Sequence, residues 1–571
     1  MRTDIPLYDV PHIDSVQDML LGSARRYQNK LALEDLSETP ISRVTYVELL
    51  ENVLRFGTAL KNLGIKERDH VAVISENRVQ WAISYLTAMT FNFVVVPVDK
   101  NLGTNEILNI LHESDATSVI FSDTYAPMFR EKRGSLKHIR HYIGMDLRKQ
   151  EDGFHSMVEL INRAPATETA KLPPINPDEL AVIIFTSGTL GRAKGVMLSQ
   201  RNIASNLSDM VSYFGIYPED RFLSVLPIHH TYECTCGMLC PLYGGSSVTY
   251  ARSLKTIVED MQKAKPTMFL AVPLLYDKMF KAIYRGIKEK KMVARVIGPM
   301  IKATDLLSKV GWKNSKKVVF KEIHHKFGGS VRCFIAGGAA PDPLVAKGLR
   351  EFGFGFVQGY GLTETAPILT LNRLQDFKDD SAGTPLPHVQ IRIANPDSNG
   401  VGEVYAKAPN VMLGYYKNEK ATSETFDGDW FKTGDIGHID ADGFLHISGR
   451  KKNVIISKAG ENVFPEEIED VLNRSPFIME SMVYGQKHEK EGEIIAAQIV
   501  VDAEAFIELS ESKGVPITPE LLNEVIDDEV RKVNRELPIF KQIKNFTVRD
   551  EEFQKTTTQK IKRFTVQTEE Q

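Results

Sequence analysis

The stretch Thr186–Gly195 has the sequence TSGTLGRAKG and directly follows the apolar run Ala181–Phe185. Its glycines allow tight backbone turns, while its hydroxyls and backbone amides can face an anion. Lys194 adds a positive charge. The stretch lacks the Gly-Lys-Ser/Thr ending of a Walker loop. It therefore predicts a phosphate-binding loop of another kind after a buried strand, with a glycine-rich surface turn as the alternative.

Strand and helix patterns alternate around this loop. Short apolar runs predict buried strands, and apolar residues at helical spacing predict helices. Such alternation is typical of a parallel sheet with helices on both faces, which places the chain in the α/β class. The predicted strands are His70–Ile74, Phe93–Val98, Ser118–Phe121, Leu180–Phe185, Arg221–Leu226, Met268–Val272 and Arg332–Ala336. The predicted helices are Ser15–Tyr27, Phe56–Leu63, Trp81–Thr90 and Glu106–Glu113.

The second half of the chain is predicted to be β-rich and then to change character. Alternating short strands occur over His388–Val404 and Gly437–Ile447, separated by Gly and Asp turns. After a basic run at Arg450–Asn453 the pattern restarts. The later elements are a helix over Pro465–Leu472, a strand over Ile494–Val501, a helix over Pro519–Asn534 and a polar end. We therefore predict one domain over residues 1–450 and a second over 451–571.

Composition excludes several classes of protein. The 571 residues are 42% hydrophobic and 25% charged with a net charge of -4, which is ordinary for a folded soluble chain and not for a nucleic-acid binder. No apolar leader follows Met1, and no apolar run reaches the ~20 residues of a spanning helix. The four cysteines are too few and too clustered for a secreted disulfide framework. These features predict a cytoplasmic location.

Further candidate motifs follow the phosphate loop. In Val357–Thr365, VQGYGLTET, a tyrosine between two glycines can offer its face to a flat heterocycle, and the Glu suits Mg²⁺. In Trp430–Asp435, WFKTGD, a turn carries a carboxylate that can accept ribose hydroxyls. Taken singly, each of these motifs also fits a solvated turn. The remaining candidates are Ser448–Asn453, SGRKKN, then Ser457–Glu467, and Gln554–Ile561, QKTTTQKI.

The order of these motifs along the chain resembles the adenylate-forming superfamily of acyl-CoA synthetases, luciferase and adenylation domains. The resemblance covers essentially the whole chain. It is strongest to the bacterial AMP-forming long-chain fatty acid–CoA ligases, through the Val10–Asp35 block, Leu226–His230, Val272–Tyr276 and Gly449–Glu467. The implied fold has a large N-terminal domain of parallel sheets sandwiched by helices, a β-rich subdomain, and a small mobile α+β C-terminal domain.

The resemblance also implies an activity. The family converts a carboxylic acid and ATP to an acyl-adenylate, and then transfers the acyl group to a thiol, usually that of coenzyme A. The implied partners are therefore a fatty acid, ATP, Mg²⁺ and coenzyme A. An acyl carrier protein as acceptor is the alternative, and a non-catalytic acyl or nucleotide sensor is a third reading. A sensor would not need the terminal Lys560.

Individual roles carry over by motif match. Thr186 and Glu364 would help place Mg²⁺, and Lys560 would act on the reacting phosphate and carboxylate. His230 and Gly338 would lie on the substrate side. Lys452 would be the hinge of the C-terminal domain, and Gly460 would line the path of the thiol. The implied nucleotide and cofactor contacts are Thr186, Ser187, Gly188, Thr189, Leu190, Lys194, Gln358, Gly359, Tyr360, Thr363, Asp435, Arg450, Lys452, Gly460 and Lys560.

Three positions depart from the family pattern. Leu190 stands where a second hydroxyl is usual, Ala193 where Pro is usual, and Gln559 where Gly is usual. The hydroxyl lost at Leu190 is expected to weaken the grip on pyrophosphate, although backbone amides remain. The position of Gln559 bears on the geometry of Lys560 and not on its identity.

Two other clusters of residues allow more than one interpretation. His229, His230, Cys234, Cys236 and Cys240 match no common zinc spacing, so the cysteines are predicted to be small apolar residues of a buried helix. From Lys278 to Lys326 there are 14 Lys/Arg and three acidic residues, with apolar residues interleaved. This stretch fits a solvated helical face, with peripheral contact to an anionic membrane as the alternative.

Overall fold

A computed structural model of the chain describes residues 5–186, 193–289, 291–312, 314–456, 461–488, 492–556 and 561–563. The chain divides into two compact units. Unit 1 comprises Met1–Gln390 and Ala406–Phe431, and unit 2 comprises Ile391–Tyr405 and Lys432–Gln571. The predicted hinge near Lys452 stays a prediction.

The strands are numbered in chain order. They are β1 Leu31–Asp35, β2 Ser42–Thr45, β3 His70–Ile74, β4 Val94–Pro97, β5 Ser118–Phe121, β6 His141–Gly144, β7 His155–Ser156, β8 Leu180–Thr186, β9 Lys194–Ser199, β10 Arg221–Ser224, β11 Ser247–Tyr250, β12 Met268–Ala271, β13 Cys333–Ala336, β14 Gly355–Gly361, β15 Ile368–Leu371, β16 Thr384–Pro385, β17 Gln390–Ala394, β18 Gly402–Lys407, β19 Gly414–Tyr415, β20 Phe426–Asp427, β21 Trp430–Ile439, β22 Leu445–Arg450, β23 Ile455–Ile456, β24 Asn462–Val463, β25 Ile478–His488, β26 Gly492–Val501 and β27 Asn545–Arg549.

The helices follow the same numbering. They are α1 Val16–Tyr27, α2 Tyr46–Asn62, α3 Val79–Thr90, α4 Thr104–Glu113, α5 Ala126–Lys132, α6 Met157–Arg163, α7 Gln200–Phe214, α8 Cys240–Gly244, α9 Ile257–Ala264, α10 Pro273–Glu289, α11 Lys291–Lys309, α12 Ser315–Val319, α13 Lys321–Lys326, α14 Pro343–Glu351, α15 Glu419–Thr425, α16 Pro465–Leu472, α17 Ala503–Lys513 and α18 Pro519–Glu536.

Two large sheets form unit 1. The nine-stranded sheet has the order β16-β15-β14-β13-β12-β10-β11-β1-β2, and its strands from β14 to β1 run parallel. The eight-stranded sheet has the order β19-β9-β8-β4-β3-β5-β6-β7, and its strands from β8 to β7 run parallel. The predicted parallel α/β organisation is confirmed.

Helix α3 lies between these two sheets. It contacts β1 of the nine-stranded sheet and both β3 and β4 of the eight-stranded sheet. All of its residues except Gln80 are buried. A helix that is apolar on every side requires cover on every side, and the two sheets supply that cover. The apolar sequence of α3 is therefore consistent with its position between the two sheets.

Unit 2 has its own core and its own sheets. Strand β25 pairs antiparallel with β26, which pairs parallel with β27. Helices α16 and α18 contact each other, and α16 also packs on β25. The core includes Ile468, Leu472, Ile499 and Ile526. The sequence predicts the end of the chain only as polar, whereas β27 forms there because its Val548 and Phe546 pack against this core.

Candidate active site

The described flanks of the phosphate loop are two paired strands. Thr186 ends β8, and Lys194 begins β9 directly opposite in the antiparallel register. The Thr186 hydroxyl donates to the Lys194 carbonyl at 3.4 Å. The hairpin thus fixes where the predicted loop leaves and re-enters the sheet. The predicted contacts Ser187, Gly188, Thr189 and Leu190 lie outside the described residues.

Lys194 and Glu364 both contact Tyr415, a residue that sequence reasoning missed. The Lys194 Nζ lies 4.7 Å from the centroid of the Tyr415 ring. The Tyr415 hydroxyl donates to Glu364 Oε1 at 2.9 Å. A cation over an aromatic face is attracted by the ring quadrupole, so the tyrosine orients the lysine and the carboxylate together. The sequence signal at this position is only the tripeptide Gly-Tyr-Tyr at 414–416, which does not indicate a functional residue.

The backbone holds Glu364 and Tyr415 in place from two directions. Glu364 lies in a single 3₁₀ turn, Thr363–Thr365, and its carbonyl accepts from the Met412 amide at 2.8 Å. Tyr415 lies on β19, which pairs with β9 through Val196. Strand β9, which begins with Lys194, is therefore the pairing partner of the strand that contains Tyr415. Lys194 and Tyr415 become neighbours through strand pairing in one sheet, and Glu364 joins them through the hydrogen bonds of its carbonyl and its side chain.

The second motif forms an antiparallel hairpin. Tyr360 of β14 lies opposite Thr370 of β15. A side-chain carbon at Gly361 would collide with the Pro367 carbonyl, so only glycine fits there. Gln358 is buried, and its side-chain amide donates to the Asp379 carbonyl at 3.0 Å. Gln358 thus anchors the strand end, while Gly359, Tyr360 and Thr363 are partly exposed.

The predicted substrate-side residues follow strands of the same sheet. Gly338 comes two residues after β13, which is the parallel neighbour of β14. His230 follows β10, which is separated from β13 by β12. Carboxyl ends of parallel strands lie at one edge of a sheet, and ligands of open α/β sheets bind at such edges. The topology places Gly338, His230 and the β14 hairpin at that edge.

His229 and His230 differ in environment. The His229 ring is buried with Nε2 3.6 Å from Asp99 Oδ2. Burial, aided by Lys100, lowers the pKa of His229 to about 3, so this ring is neutral. The His230 ring lies 4.8 Å from the His229 ring and is partly exposed. Of the two, His230 is the more exposed, and its substrate-side role stays a prediction.

Sequence reasoning also missed Glu233, a buried carboxyl three residues after His230. Glu233 is 1% exposed and lies in the π-helical segment Tyr232–Leu239. Burial raises the pKa of Glu233 to about 8, although the Ser224 hydroxyl and the Leu226 amide lie near enough to oppose the shift. Neither carboxyl oxygen has a well-formed hydrogen bond within the described residues. Glu233 therefore carries a proton at neutral pH.

Cys234, Cys236 and Cys240 are buried as predicted, with one difference in the helix type, and Cys333 begins β13. All are free and buried. Cys234 and Cys236 lie on the π-helical segment and not on an ordinary α-helix, while Cys240 begins α8. The π-helical geometry has no marker in the sequence. Among the residues that the structure describes, no group of three His, Cys, Asp or Glu side chains is placed to hold a metal ion.

In unit 2 the third and fourth motifs form a hairpin. Asp435 of β21 lies opposite Arg450 of β22. The Arg450 Nε lies 2.8 Å from Asp435 Oδ1, and its Nη1 donates to the Thr433 carbonyl at 3.3 Å. Asp435 is 4% exposed, whereas Arg450 is partly exposed. The hairpin holds a carboxylate and a guanidinium side by side.

Lys452 follows this hairpin and stands in a basic setting. Partial desolvation of the ammonium group lowers the pKa of Lys452, and Arg450 and Arg563 add to the shift. Arg563 itself makes a close ion pair with Glu469 at 2.5 Å. Gly460 and Lys560 lie outside the described residues. Their roles remain predictions.

Comparison with known proteins identifies the family of the chain. The model of the AMP-binding enzyme family matches residues 21–416, and that of the AMP-binding enzyme C-terminal domain matches residues 467–560. The chain belongs to the AMP-binding enzyme family. The first match covers the phosphate hairpin, Glu364 and Tyr415, and the second covers most of the core of unit 2.

Several relatives of this AMP-binding enzyme align over most of its length. The long-chain-fatty-acid–CoA ligase FadD15 of Mycobacterium bovis is 28% identical over 97% of this chain and 96% of its own. The chloroplastic long-chain-fatty-acid–[acyl-carrier-protein] ligase AEE15 of Arabidopsis thaliana is 29% identical over 84% of this chain and 76% of its own. The crystal structure of the anthranilate CoA ligase AuaEII with anthranoyl-AMP has a TM-score of 0.79 at 21% identity, covering 99% and 98% of the two chains.

Proposed function

We propose that this AMP-binding enzyme is an AMP-forming long-chain fatty acid–CoA ligase. The observation that carries the proposal is the Lys194–Tyr415–Glu364 arrangement beside the phosphate hairpin. This arrangement brings Lys194, a cation that could bind phosphate, close to Glu364, a carboxylate that could bind a metal ion. The near full-length similarity to FadD15 supports a fatty acid as the substrate and coenzyme A as the acceptor.

In the first step a fatty acid carboxylate oxygen attacks the α-phosphorus of ATP, and pyrophosphate leaves. Lys194 and the loop from Thr186 would hold the β- and γ-phosphates. Lys560 would stabilise the negative charge that grows on the α-phosphate and carboxylate oxygens. Gln358, Gly359, Tyr360 and Thr363 would line the adenine side, with the Tyr360 ring stacked on the base.

The chemistry of the donor set fits Mg²⁺. Glu364 offers a carboxylate whose Oε1 already accepts from Tyr415, and Thr186 offers a hydroxyl whose hydrogen bond to the Lys194 carbonyl is long. Mg²⁺ prefers oxygen ligands and is usually held by one or two carboxylates plus substrate phosphates. A bound Mg²⁺ would neutralise phosphate charge, and Glu364 and Thr186 would hold it.

In unit 2, Asp435 and Arg450 would hold the ribose. The buried Asp435 carboxylate can accept from ribose hydroxyls while the contact with Arg450 orients it. In the second step the coenzyme A thiol attacks the acyl carbonyl carbon, loses its proton, and AMP leaves. Gly460 would line the thiol's path, with Lys452 as the hinge. His230 and Gly338 would face the acyl group.

The proposal is tested by pyrophosphate release over straight-chain acids of graded length, with ATP and coenzyme A present. We expect turnover to be highest for acids of about twelve carbons or more, because each buried CH₂ contributes roughly 0.8 kcal/mol. A preference for short or aromatic acids would overturn the substrate class. Omission of Mg²⁺ and its replacement with Ca²⁺ would test the metal.

Transfer to an acyl carrier protein is the second candidate. The similarity to AEE15 favours it, since that relative's name specifies a carrier protein as the acceptor. The two acceptors are distinguished by measuring kcat/KM for coenzyme A and for holo-carrier protein with the same acid. A higher kcat/KM for the carrier would replace our main proposal by this second one.

No helix among the described residues has both the length and the apolar character needed to cross a bilayer. A long-chain acid nevertheless partitions into membranes, so we include peripheral membrane contact in the proposal for this enzyme. The contact would be reversible and would depend on side chains at the surface of the protein.

A further inference from the structure

One helical end in unit 1 exposes several large apolar side chains, and four of them are at least half exposed. We call these residues the apolar tip: Leu306, Val310, Trp312 and Val318, which are 65%, 73%, 50% and 57% exposed. Leu306 lies near the end of α11, Val310 and Trp312 follow that helix, and Val318 lies in α12. Scattered single exposed apolar residues are normal in proteins, but four within 13 consecutive residues need an explanation.

The apolar tip is built on an ordered base. Ser315 is buried, and its hydroxyl donates to the Thr304 carbonyl at 3.1 Å. The Trp312 amide donates to the Leu307 carbonyl at 3.0 Å. On the inner side of α11, Ile297 and Met300 pack against the core of unit 1. The exposed apolar side chains therefore adjoin a base that is held by these hydrogen bonds and by the core of unit 1.

Positive charge surrounds the apolar tip. From Arg295 to Lys326 the sequence has eight Lys/Arg and two acidic residues. One of the acids, Asp305, is already paired with Lys316 at 2.7 Å. Lys302, Leu306 and Lys309 follow each other at spacings of four and three residues, which puts them on one exposed stripe of α11.

We propose that the apolar tip docks on the surface of an anionic lipid bilayer. Its composition matches that surface, because a tryptophan and aliphatic residues can enter the interface while flanking lysines contact the headgroups. An acidic carrier protein would satisfy the lysines but would leave four outward apolar side chains without a reason. This inference rests on the peripheral membrane contact included in the proposed function and assigns that contact to a defined surface, while the ligase chemistry does not depend on it.

The test uses the full-length enzyme and vesicles of phosphatidylcholine alone or with phosphatidylglycerol. Tryptophan emission reports insertion, since the chain has three tryptophans and Trp81 is fully buried. We expect co-sedimentation with the anionic vesicles, weaker binding in 1 M salt, where the Debye length is about 3 Å, and a blue shift of the emission. Trp312→Phe should abolish most of the blue shift.

Two variants separate charge from apolar contact. Changing Lys302, Lys309, Lys317 and Lys321 to Gln should weaken vesicle binding by about a hundredfold or more, because each basic residue near an anionic surface adds to the attraction. Changing Leu306, Val310 and Val318 to Ser should weaken it about tenfold or more. The matched control changes Leu254 and Leu344 to Ser, which are 56% and 58% exposed in the same unit.

Equal binding to neutral and anionic vesicles, or no difference between the apolar variant and its control, would overturn the proposal. A loss of affinity for holo-carrier protein in the lysine variant, with vesicle binding intact, would assign the surface to a carrier instead. Turnover of a short, water-soluble acid serves as the folding control and should be the same in every variant as in the unmodified enzyme. If the unmodified enzyme turned over no acid of any length, that result would instead count against the proposed ligase function.

Discussion

Units 1 and 2 assemble their candidate site residues in different ways. In unit 1, Lys194 and Tyr415 are more than 200 residues apart and lie on paired strands of one sheet, and Glu364 joins them through a hydrogen bond from the Tyr415 hydroxyl. In unit 2, Asp435 and Arg450 are 15 residues apart and meet across a local hairpin. The sequence predicts a turn at Asp435, whereas the structure places this residue inside β21, so neither the local hairpin nor the convergence of distant segments was predicted in full.

The largest effect is expected from the carboxylate of unit 1. Glu364→Gln should lower the rate of acyl-adenylate formation on the order of a thousandfold, because a metal-holding charge is lost where phosphate charge must be neutralised. Pyrophosphate release at saturating ATP and Mg²⁺ measures the loss. Glu419→Gln on the surface helix α15 is the control and should behave as the unmodified enzyme. A Glu364→Gln variant with near-normal kcat would remove Glu364 from the site.

Two substitutions in unit 2 should each impair a different half-reaction. Lys560→Ala should slow adenylation by about a hundredfold, which corresponds to ~3 kcal/mol, since its charge is proposed to act on the first transition state. Thioester formation from supplied acyl-adenylate should be spared. Gly460→Leu should give the reverse pattern because a side chain would obstruct the thiol. Equal damage to both half-reactions by either variant contradicts the corresponding assignment.

The hairpin ion pair is expected to act mainly on nucleotide binding. Arg450→Gln should raise the KM for ATP about tenfold, because it removes a charged partner from a buried carboxylate. Arg531→Gln, on an exposed pair in α18, is the control. If kcat falls and the KM for ATP is unchanged, Arg450 acts on the transition state and not on ribose binding.

The smallest effect on turnover is expected at Tyr415. Tyr415→Phe keeps the ring under Lys194 and loses only the hydroxyl to Glu364, so activity should fall by only a few-fold. Tyr415→Leu loses both contacts and should cost about tenfold or more. The ratio of the two variants measures how much the ring contributes. Identical losses would mean that Lys194 does not depend on the ring.

We expect the buried Glu233 to affect the free energy of unfolding and not the turnover of the enzyme. The pKa of Glu233 is raised to about 8 in the folded state, above its ordinary value near 4.5. The folded state therefore binds more protons than the unfolded state in this window, and the free energy of unfolding should fall as pH rises from 4.5 to 8. Glu233→Gln should remove this loss, which amounts to a few kcal/mol or about 10 °C or less in Tm.

Urea unfolding of the two proteins at about pH 5 and about pH 8 measures that difference. The stability advantage of the Gln variant should be small at the lower pH and large at the higher pH, with activity retained. Asp305→Asn, a surface carboxyl paired with Lys316, is the control and should leave the pH dependence unchanged. Parallel pH curves for Glu233→Gln and the unmodified enzyme would show that Glu233 is ionised in the folded state.

The sequence predicted much of this organisation because hydrophobic period and turn residues are local properties. Strands His70–Ile74 and Ser118–Phe121 and helix Pro465–Leu472 have the predicted bounds. Tyr415 was missed because β19 is only two residues long and nothing local distinguishes its tyrosine from other aromatic residues. Glu233 was missed because burial of a carboxyl depends on the packing of the surrounding strands, and the π-helical segment that carries it has no sequence marker.

The four buried cysteines have a practical consequence for following this enzyme at work. Burial raises the pKa of every one of these thiols, that of Cys333 to about 12, so at neutral pH they remain unreactive toward maleimides and mild oxidants. All four cysteines of the chain are accounted for. A cysteine placed on the surface of each unit could therefore take a fluorophore in the native background, and energy transfer between the dyes would record any rearrangement during a turnover.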